Sequence, residues 1–424
     1  MKRVVGTAIF LFIFAGLYAE KMVLTPQMAV GSALENNINA KQGKITLDAA
    51  ARQKSVSWNS VSPTASVTGR YSTSVPSEEN SKDSISIGAS INASLTPSLY
   101  TQMEGAKIAY EQQKISYDSA LRNIEFAVLK AYYGILYGKE NLDLKIKNLE
   151  TKKKQYEANL AKYNRGMLSR VDVLSAQINW QNSVLDVDTQ RTTLENTIAQ
   201  FKQTVGIDQS VEVEFIGSFD SALSFERLDV SELEKKSSAI EALQKQVLAA
   251  NNNLLAARFS AYGPSLSAGY SYSYSSMDGG ENWNDGGSLS FGVSIPLDGL
   301  LPWSTRAQAV ENYRDTVEGL ELKLADERTT FEINTDALVK KINQSVDNIK
   351  VRKSSIDLAQ TNYEMTLEAY NHGTRDLLTL QSAQDSLLSA RVNLVAEANT
   401  LMGSIYELEN ECGWEFGSLL GDKK

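Results

Sequence analysis

Four segments of the chain alternate apolar and small polar residues with a period of two. In 84–95 the odd positions are isoleucine, alanine or leucine, and the even positions are serine, glycine or asparagine. The segments 265–275 and 288–297 repeat the alternation, and 64–73 shows it more weakly. One apolar face opposite one face of small polar residues, over about ten residues, is typical of a transmembrane β-strand. The pattern therefore predicts two β-hairpins.

Outside these hairpins the apolar spacing becomes helical. The seven prolines all lie outside 98–263 and 303–424, so nothing in those ranges breaks a helix. Two long helices are predicted, at about 100–164 and about 303–371. Each would span on the order of 100 Å at 1.5 Å per residue. Their apolar residues advance in steps of four and three, the period of a coiled-coil seam.

Each long helix is followed by a glycine turn and a shorter helix. Glycine suits the left-handed conformation that ends a helix, so Gly166 and Gly373 predict tight turns. Return helices are then expected at 168–205 and 374–411. Two further helices, at about 25–58 and 231–260, have a similar length and could stack end to end with the return helices to match one long helix.

The chain contains an internal repeat. Tyr-Asn-Arg-Gly at 163–166 recurs as Tyr-Asn-His-Gly at 370–373, an offset of 207 residues (370 − 163). Ser-Ala-Gln at 175–177 recurs at 382–384 with the same offset, and Gly206 recurs as Gly413. Such a gapless register indicates duplicated halves, each with two strands, a long helix, a tight turn and a shorter helix.

The number of strands predicts an oligomer. Four strands cannot close a barrel, since about eight is the usual minimum. An open sheet edge is not tolerated in lipid, so other copies must complete the sheet. Three copies would supply twelve strands.

The N-terminus and the composition narrow the function. Lys2 and Arg3 precede an apolar run that ends before Tyr18-Ala19, which favours a signal peptide at 1–19 over a short membrane anchor. Removing them changes the net charge from −9 to −11 (40 basic and 51 acidic residues), and we expect no nucleic acid partner. With a single cysteine and a single histidine, and without a phosphate-binding loop or metal-ligand cluster, we expect no cofactor and no enzymatic activity.

The duplicated halves, the paired strands and the hairpins that close at Tyr-Asn-x-Gly resemble the TolC family of outer-membrane efflux proteins over essentially the whole chain after residue 19. The resemblance implies an α+β membrane protein, a homotrimer with a 12-stranded β-barrel in the outer membrane and an α-helical tunnel in the periplasm. It further implies a passive exit duct for small molecules or proteins, in a tripartite efflux pump or type I secretion system. The implied partners are a periplasmic adaptor (membrane fusion) protein and an inner-membrane pump, reached directly or through the adaptor.

The resemblance also assigns roles at the two helical tips. Tyr370 and Arg375 match the family's second tip motif, where they join the network that closes a periplasmic gate, and Asp172 matches its acidic partner from the first tip. An arginine–carboxylate pair can be bidentate and charge-assisted, although solvated surface charge is the alternative for both residues. The turns that an adaptor would grip comprise Gly166, Met167, Leu168, Ser169, Gly373 and Thr374.

Three further positions at the second tip bear on the site. Thr379 and Ser382 stand where family members carry aspartates that form an acidic ring in the pore, and Asp376 is out of register with that ring. Such a constriction is therefore not expected here. His372 could be a pH-sensitive contact, but a simple turn residue is the favoured interpretation. The three lysines at 152–154 are interpreted as a solvated helix face.

These observations divide the chain into segments. A secreted coiled-coil structural or adhesive protein is the alternative function, and a solute-uptake porin is disfavoured because most of the chain is helical. The predicted segments are a signal peptide (1–19), an N-terminal helical segment (20–59), a first barrel hairpin (60–98), a first helical hairpin (99–206), an equatorial segment (207–230), a connecting helix (231–261), a second barrel hairpin (262–298), a second helical hairpin (299–413) and a C-terminal tail (414–424).

Overall fold

A computed structural model describes residues 22–73, 83–229 and 236–421. The predicted signal peptide, most of the first hairpin loop and the start of the predicted connecting helix lie outside these residues. The first half contains β1 (Met22–Leu24), α1 (Pro26–Asn36), α2 (Ile38–Ser55), β2 (Thr64–Ser72), β3 (Ser84–Leu95), α3 (Ser98–Asn164) and α4 (Arg170–Val205). The second half contains β4 (Val213–Phe215), α5 (Asp220–Leu223), α6 (Ser238–Tyr262), β5 (Ser265–Ser276), β6 (Asn284–Ser294), α7 (Thr305–Asn371) and α8 (Leu377–Glu411).

The two hairpins form one antiparallel sheet in the order β2-β3-β5-β6. The alternating pattern predicts β3 with the bounds that the structure has. For β6 the predicted range 288–297 is wrong, because the strand begins at Asn284 and ends at Ser294. Gly286 and Gly287 continue the ladder opposite β5, and Pro296, which lacks an N–H donor, lies beyond the strand's end.

The long helices α3 and α7 have 67 residues each. The coiled-coil seams pack as the period predicts: α3 lies against α4 and α7 against α8. In the first pair the ring of Tyr156 stacks on Trp180 with 5.4 Å between centroids. None of the helices in the described ranges combines the length with the apolar composition that crossing a membrane demands.

The helix predicted over 25–58 is interrupted. Asn37 has extended backbone (φ −61°, ψ 132°) between α1 and α2 and caps α2 by accepting from the N–H of Asn39. Its Nδ2 also donates to the Thr204 carbonyl near the end of α4, at 2.9 Å. The break therefore lets Asn37 serve both helices, since it fills a cap and satisfies a terminal carbonyl of α4.

The shorter helices stack end to end along the long ones. Helix α3 packs against α2 and α6 in one part of its length and against α4 and α8 in the other. The second junction resembles the first: the Lys236 N–H, just before α6, donates to the Cys412 carbonyl at the end of α8. The left-handed glycines Gly206 and Gly413 follow α4 and α8, one at each junction. Each half of the repeat therefore contains one such junction, in which two shorter helices stack end to end.

The largest apolar core lies at the middle of the rod, a region called the equator here. It joins α3, α7 and α8 with β1, β4 and α5. Tyr132 of α3 is fully buried in it, and its hydroxyl contacts the Leu24 carbonyl (2.6 Å) and the Ile216 carbonyl (2.7 Å). Burial raises the pKa of Tyr132 to about 12, so the phenol keeps its proton at neutral pH. Tyr132 therefore ties the small parallel sheet of β1 and β4 to the rod.

A buried carboxylate fixes the C-terminal segment at the equator. Glu409 of α8 is fully buried and accepts from the N–H groups of Gly417 (2.8 Å) and Leu419 (2.9 Å). Burial raises the pKa of Glu409, while these hydrogen bonds and Arg122 oppose the rise. Arg122 of α3 donates to the carbonyls of Glu409 and Trp414. The segment after α8 is thereby held on the long helix of the other half.

Candidate functional site

The two helical tips have the same turn geometry. Gly166 and Gly373 have φ values of 75° and 74°, the left-handed conformation that their position in the repeat predicts. The residues that follow, Met167 and Thr374, each donate an N–H back to the last turn of the long helix at 2.9 Å. These bonds satisfy carbonyls that the helix end would otherwise leave free. Both turns are exposed at the end of the rod.

Each return helix begins with a side-chain cap, which is a serine hydroxyl in the first tip and an aspartate carboxylate in the second. Ser169 caps α4: its hydroxyl accepts from the Asp172 N–H (3.2 Å) and donates to the Asp172 carboxylate (2.6 Å). At the matching positions of the second tip, the Asp376 carboxylate caps α8 and accepts from the N–H and the hydroxyl of Thr379. Those bonds from Thr379 lower the pKa of Asp376. Each tip thus carries one carboxylate held beside one hydroxyl.

The three predicted gate residues lie at the two tips but do not form one network within the protomer. Tyr370 donates to the Asn159 Oδ1 of α3 at 2.8 Å, which links the second hairpin to the first. Burial raises the pKa of Tyr370 and the charge of Asp172 adds to the rise, so the phenol stays a donor at neutral pH. Among the described residues, Asp172 and Arg375 share no ion pair, and Arg375 is exposed without a hydrogen-bond partner.

The other tip residues face solvent. Met167 is 70% exposed, Ser169, Gly166, Gly373 and Thr374 are exposed, and Leu168 is half-buried. The nearest acidic group to the exposed His372 imidazole is the Glu368 carboxylate on its own helix, 4.0 Å away. The interpretation of His372 as a simple turn residue stays a prediction.

Polar contacts continue along the boundary between the two hairpins, where α3 lies against α8 and the end of α7. We call this boundary the polar seam, defined by the pairs Asn148–Gln384 (2.7 Å), Lys152–Asp385 (2.9 Å) and Asn159–Tyr370. The Asn159 Nδ2 and the Gln155 Nε2 on the same stretch of α3 are buried without a hydrogen-bond partner. A buried polar atom without a partner is costly, and it would regain one if water entered.

Lys152 and Asp385 are functional candidates that the sequence did not reveal. The sequence interpretation of 152–154 as a solvated face is wrong for Lys152, whose side chain is only 12% exposed and pairs with Asp385. The pair joins residues 233 positions apart on different helices. Because neither helical period nor the repeat relates these two positions, no local pattern could have predicted the contact.

The sheet has the two faces that a membrane strand requires. The register places the apolar positions of all four strands on one face, where Val67, Ile91, Leu289 and Phe291 are exposed. Aromatic residues lie on this face near the hairpin loops, and others lie on the segments that join the sheet to the helices. Aromatic girdles at both rims of an apolar band are typical of transmembrane sheets. The exposed aromatic residues near the loops are Tyr71, Tyr272 and Tyr274; those on the helix side are Trp58, Tyr100, Tyr262 and Trp303.

Known proteins share both the sequence pattern and the fold. The family model described as outer membrane efflux protein matches twice, over residues 29–203 and 230–408, so each half of the repeat carries one copy. Outer membrane protein TolC of Vibrio cholerae is 22% identical over 379 residues, covering 86% of this chain and 85% of that protein.

Solved structures match at low identity. The structure of CusC is 15% identical with a TM-score of 0.78, covering 92% of both chains. The CmeC outer membrane channel of Campylobacter jejuni is 17% identical with a TM-score of 0.75, covering 92% of this chain and 85% of that one. These likenesses confirm the α+β duplicated fold.

The family assignment decides between the hypotheses that the sequence left open. Family members are channel proteins and not enzymes, and they lie in the outer membrane with a helical tunnel in the periplasm. An outer-membrane channel family is not consistent with the alternative of a secreted structural or adhesive protein. With the repeat, the two-faced sheet and the paired helical hairpins in place, the chain belongs to the outer membrane efflux protein family.

Proposed function

We propose that three copies of this chain close into one continuous duct, which passes cargo from the periplasmic tips through the outer membrane. An inner-membrane pump supplies the energy, and an adaptor protein docks on the tips. The duct serves a tripartite efflux pump or a type I secretion system. The observation that carries the proposal is that one protomer ends in two incomplete edges, both in its sheet and in its helical layer.

The sheet edges support closure by other copies. In the order β2-β3-β5-β6, strands β2 and β6 are paired on one side only within the described part of the chain. Unpaired backbone groups in hydrocarbon are very unfavourable, so a sheet that spans a membrane must close. Pairing β6 of one copy with β2 of the next gives a head-to-tail interface, and a rotation that closes produces a ring. Three copies supply twelve strands.

The helical layer has the same kind of edges. Because α3 packs on α4 and α8, and α8 packs on α7, the order is α4-α3-α8-α7. The two outer helices carry exposed apolar residues at coiled-coil spacing. On α4 they are Val171, Leu174, Ile178 and Leu185; on α7 they are Val351, Leu358 and Met365. Exposed stripes of this length favour burial against another chain, and α4 of one copy can meet α7 of the next.

The mass of the detergent-extracted protein tests the closure. Light scattering, corrected for bound detergent, is expected to give three chains. A charge within either edge stripe, Ile178→Asp or Leu358→Asp, is expected to reduce the trimer fraction. Lys154→Asp is the matched control, since Lys154 is exposed on the inner helix α3 and belongs to neither edge. A monomer or dimer for the unmodified protein would refute the proposal.

The tip contacts support a gate. Tyr370 already bridges the two hairpins, and the half-buried Asp172 and the exposed Arg375 lie at the two tips beside it. In the closed ring, the first tip of one copy adjoins the second tip of the next, so Arg375 can pair with Asp172 of a neighbouring copy. A charge-assisted bond of this kind holds the tips together until an adaptor pulls them apart.

Single-channel conductance in a planar bilayer tests the gate. Arg375→Ala and Asp172→Ala are each expected to raise the conductance. Tyr370→Phe, which removes the hydroxyl bonded to Asn159, is expected to raise it as well. The repeat supplies controls that should leave the conductance unchanged. Thr379→Ala alters the residue that matches Asp172 in the other tip, and Tyr163→Phe alters the residue that matches Tyr370. Unchanged conductance in both charge variants would remove Asp172 and Arg375 from the gate.

The exposure of both tip turns supports adaptor docking. Because the two turns share one geometry, a trimer would present six similar turns to an adaptor. In cells that lack the chromosomal copy, dye efflux and secreted-protein yield can be measured with Met167→Asp. Loss of either output with a normal trimer mass supports docking at this turn. Loss of dye efflux alone would point to an efflux pump, and loss of secretion alone to type I secretion. Full activity in both assays would refute docking at Met167.

A further inference from the structure

The polar face of the sheet is almost free of charge. Its positions are the even-numbered residues of β2, β3 and β6 and the odd-numbered residues of β5, which the register aligns across all four strands. In the described strands these positions hold serine, threonine, glycine and asparagine, with one exception. Serine hydroxyls bond in cross-strand pairs, such as Ser66 with Ser90 and Ser271 with Ser288. The exception is Arg70.

Among the residues that the structure describes, Arg70 has no neutralising neighbour on this face. It lies directly opposite Ser86, which in turn lies opposite Ser275, and Ser275 lies opposite Asn284. The side chain is exposed and has no hydrogen-bond or ion-pair partner among the described residues. The one acidic residue within the described strands, Asp285, belongs to the opposite face, where it accepts from the Tyr272 hydroxyl.

Closure of the trimer would leave this charge unpaired. The free edge of β2 would meet β6 of the next copy, and the polar face of β6 carries only asparagine, glycine and serine. Three arginines would then surround the lumen at one level. Arg70 is two residues from the end of β2, at the hairpin end of the sheet, and so lies near the outer mouth of the duct.

We propose that Arg70 forms a three-fold cationic ring at the exit, which makes the mouth of the duct favour negatively charged cargo. The proposal rests on the trimeric duct proposed above. Rings of arginine or lysine are a recurring means of anion selection in pores. A wall of small neutral residues adds no competing charge, and a lumen with low-dielectric walls focuses the field of the ring. Carboxylate, phosphate or sulfate groups on the cargo would be attracted to it.

The experiment measures the local potential beside Arg70, independently of the periplasmic gate. Ser273→Cys places a thiol on the polar face, opposite Gly88. Whole cells are treated from outside with an anionic or a cationic methanethiosulfonate, and the ratio of the two reaction rates is recorded. Phe291→Cys, on the apolar face, is the matched control for the assignment of the faces. The native Cys412 is buried, so the protein without an added cysteine serves as the blank.

We expect the anionic reagent to react faster at Ser273→Cys. Adding Arg70→Gln is expected to lower the anionic-to-cationic rate ratio by about threefold at low ionic strength, since at about 0.01 M salt a charge is screened only beyond roughly 30 Å. Arg70→Lys should keep the ratio. The double variant Arg70→Gln and Ser86→Arg moves the positive charge to the paired position on β3, and it should restore the rate ratio.

Two results would overturn the inference, and they are distinguishable. If Ser273→Cys reacts while Phe291→Cys does not, but Arg70→Gln leaves the ratio unchanged, the polar face lines the lumen and the arginine ring does not select. If Phe291→Cys reacts while Ser273→Cys does not, the faces are reversed, and the proposed duct fails together with the ring.

Discussion

The equator and the polar seam join the same two hairpins with different proportions of apolar and polar contacts. At the equator α3, α7 and α8 share fully buried aliphatic side chains, among them Ile135, Ile342, Leu401 and Ile405. A few polar contacts, such as those of Arg122, add to this apolar core. Toward the tips the side-chain contacts that define the seam are hydrogen bonds and one ion pair, and the Asn159 and Gln155 amides nearby are buried without partners. Both regions lie on the same long helices, so the difference comes from side chains and not from backbone geometry.

This difference has a mechanical consequence. Separating buried aliphatic side chains exposes apolar surface, which is unfavourable by about 25 cal/mol per Å². Separating a polar contact exchanges it for contacts with water, and the net change for a typical hydrogen bond is about 1 kcal/mol. Since water could also satisfy the unpartnered Asn159 and Gln155 amides, opening is favoured at the seam. We therefore expect the equator to act as a fixed collar and the seam as the part that opens.

The largest expected effect comes from breaking the collar. Ile405→Ala removes a fully buried side chain from the equatorial core and is expected to lower the free energy of unfolding by about 2–5 kcal/mol. Thermal unfolding in detergent, followed by circular dichroism, measures the change. Lys154→Ala, an exposed substitution on α3, should leave the midpoint unaltered. A midpoint equal to that of the unmodified protein would mean that the equator is not the collar.

A smaller loss is expected from Tyr132→Phe, which keeps the ring and removes the hydroxyl. The carbonyls of Leu24 and Ile216 lose their contact with the phenol hydroxyl, at a cost of about 0.5–1.5 kcal/mol. Faster hydrogen exchange of the amides of β1 and β4 would report the loss. Tyr137→Phe, on the next turn of α3, is the control. Equal exchange in both variants would contradict the role given to Tyr132.

At the seam the stability effect should be small and the conductance effect large. Lys152→Ala or Asp385→Ala breaks a partly exposed ion pair, worth at most about 1 kcal/mol. Each variant is expected to unfold close to the normal temperature but to open more often in a planar bilayer. Lys147→Ala removes an ion pair within α3 itself and should alter neither quantity. A large drop in unfolding temperature would show that the seam is structural like the equator.

The smallest stability change is expected when the seam is made to resemble the collar. The double variant Asn148→Leu and Gln384→Leu replaces both partners of a polar contact by apolar groups, which is close to neutral for stability. Its apolar contact should resist water, so the open probability in a planar bilayer is expected to fall below that of the unmodified protein. An open probability equal to or above that of the unmodified protein would refute the link between polarity and opening.

The fold was largely predictable because its determinants are periodic. Strand β3 follows from the alternation of its residues, and the tip turns follow from the repeat of Gly166 as Gly373, since both glycines need a positive φ. Asn37 was missed because its break depends on a bond to Thr204, far along the chain. The start of β6 was missed because residues 284–287 look like a loop and pair only through the ladder with β5.

The site was predictable only in part. The repeat located the tips, and the family resemblance named Tyr370, whose link to Asn159 depends on the packing of two separate helices. No sequence motif marks Lys152 and Asp385 as a pair, since a buried lysine and a solvated lysine look alike in a helical pattern. Contacts that cross between the hairpins are set by tertiary packing, which one sequence does not encode locally.

The distance between spin labels on different protomers tests the central claim most directly. One label per chain, at Met167→Cys for the tip or Thr400→Cys for the equator, gives a single distance in a three-fold ring. We predict that Tyr370→Phe lengthens the distance between tip labels and leaves that between equatorial labels unchanged. Equal displacement at both levels, or tips that stay together while conductance rises, would contradict a fixed collar above an opening seam.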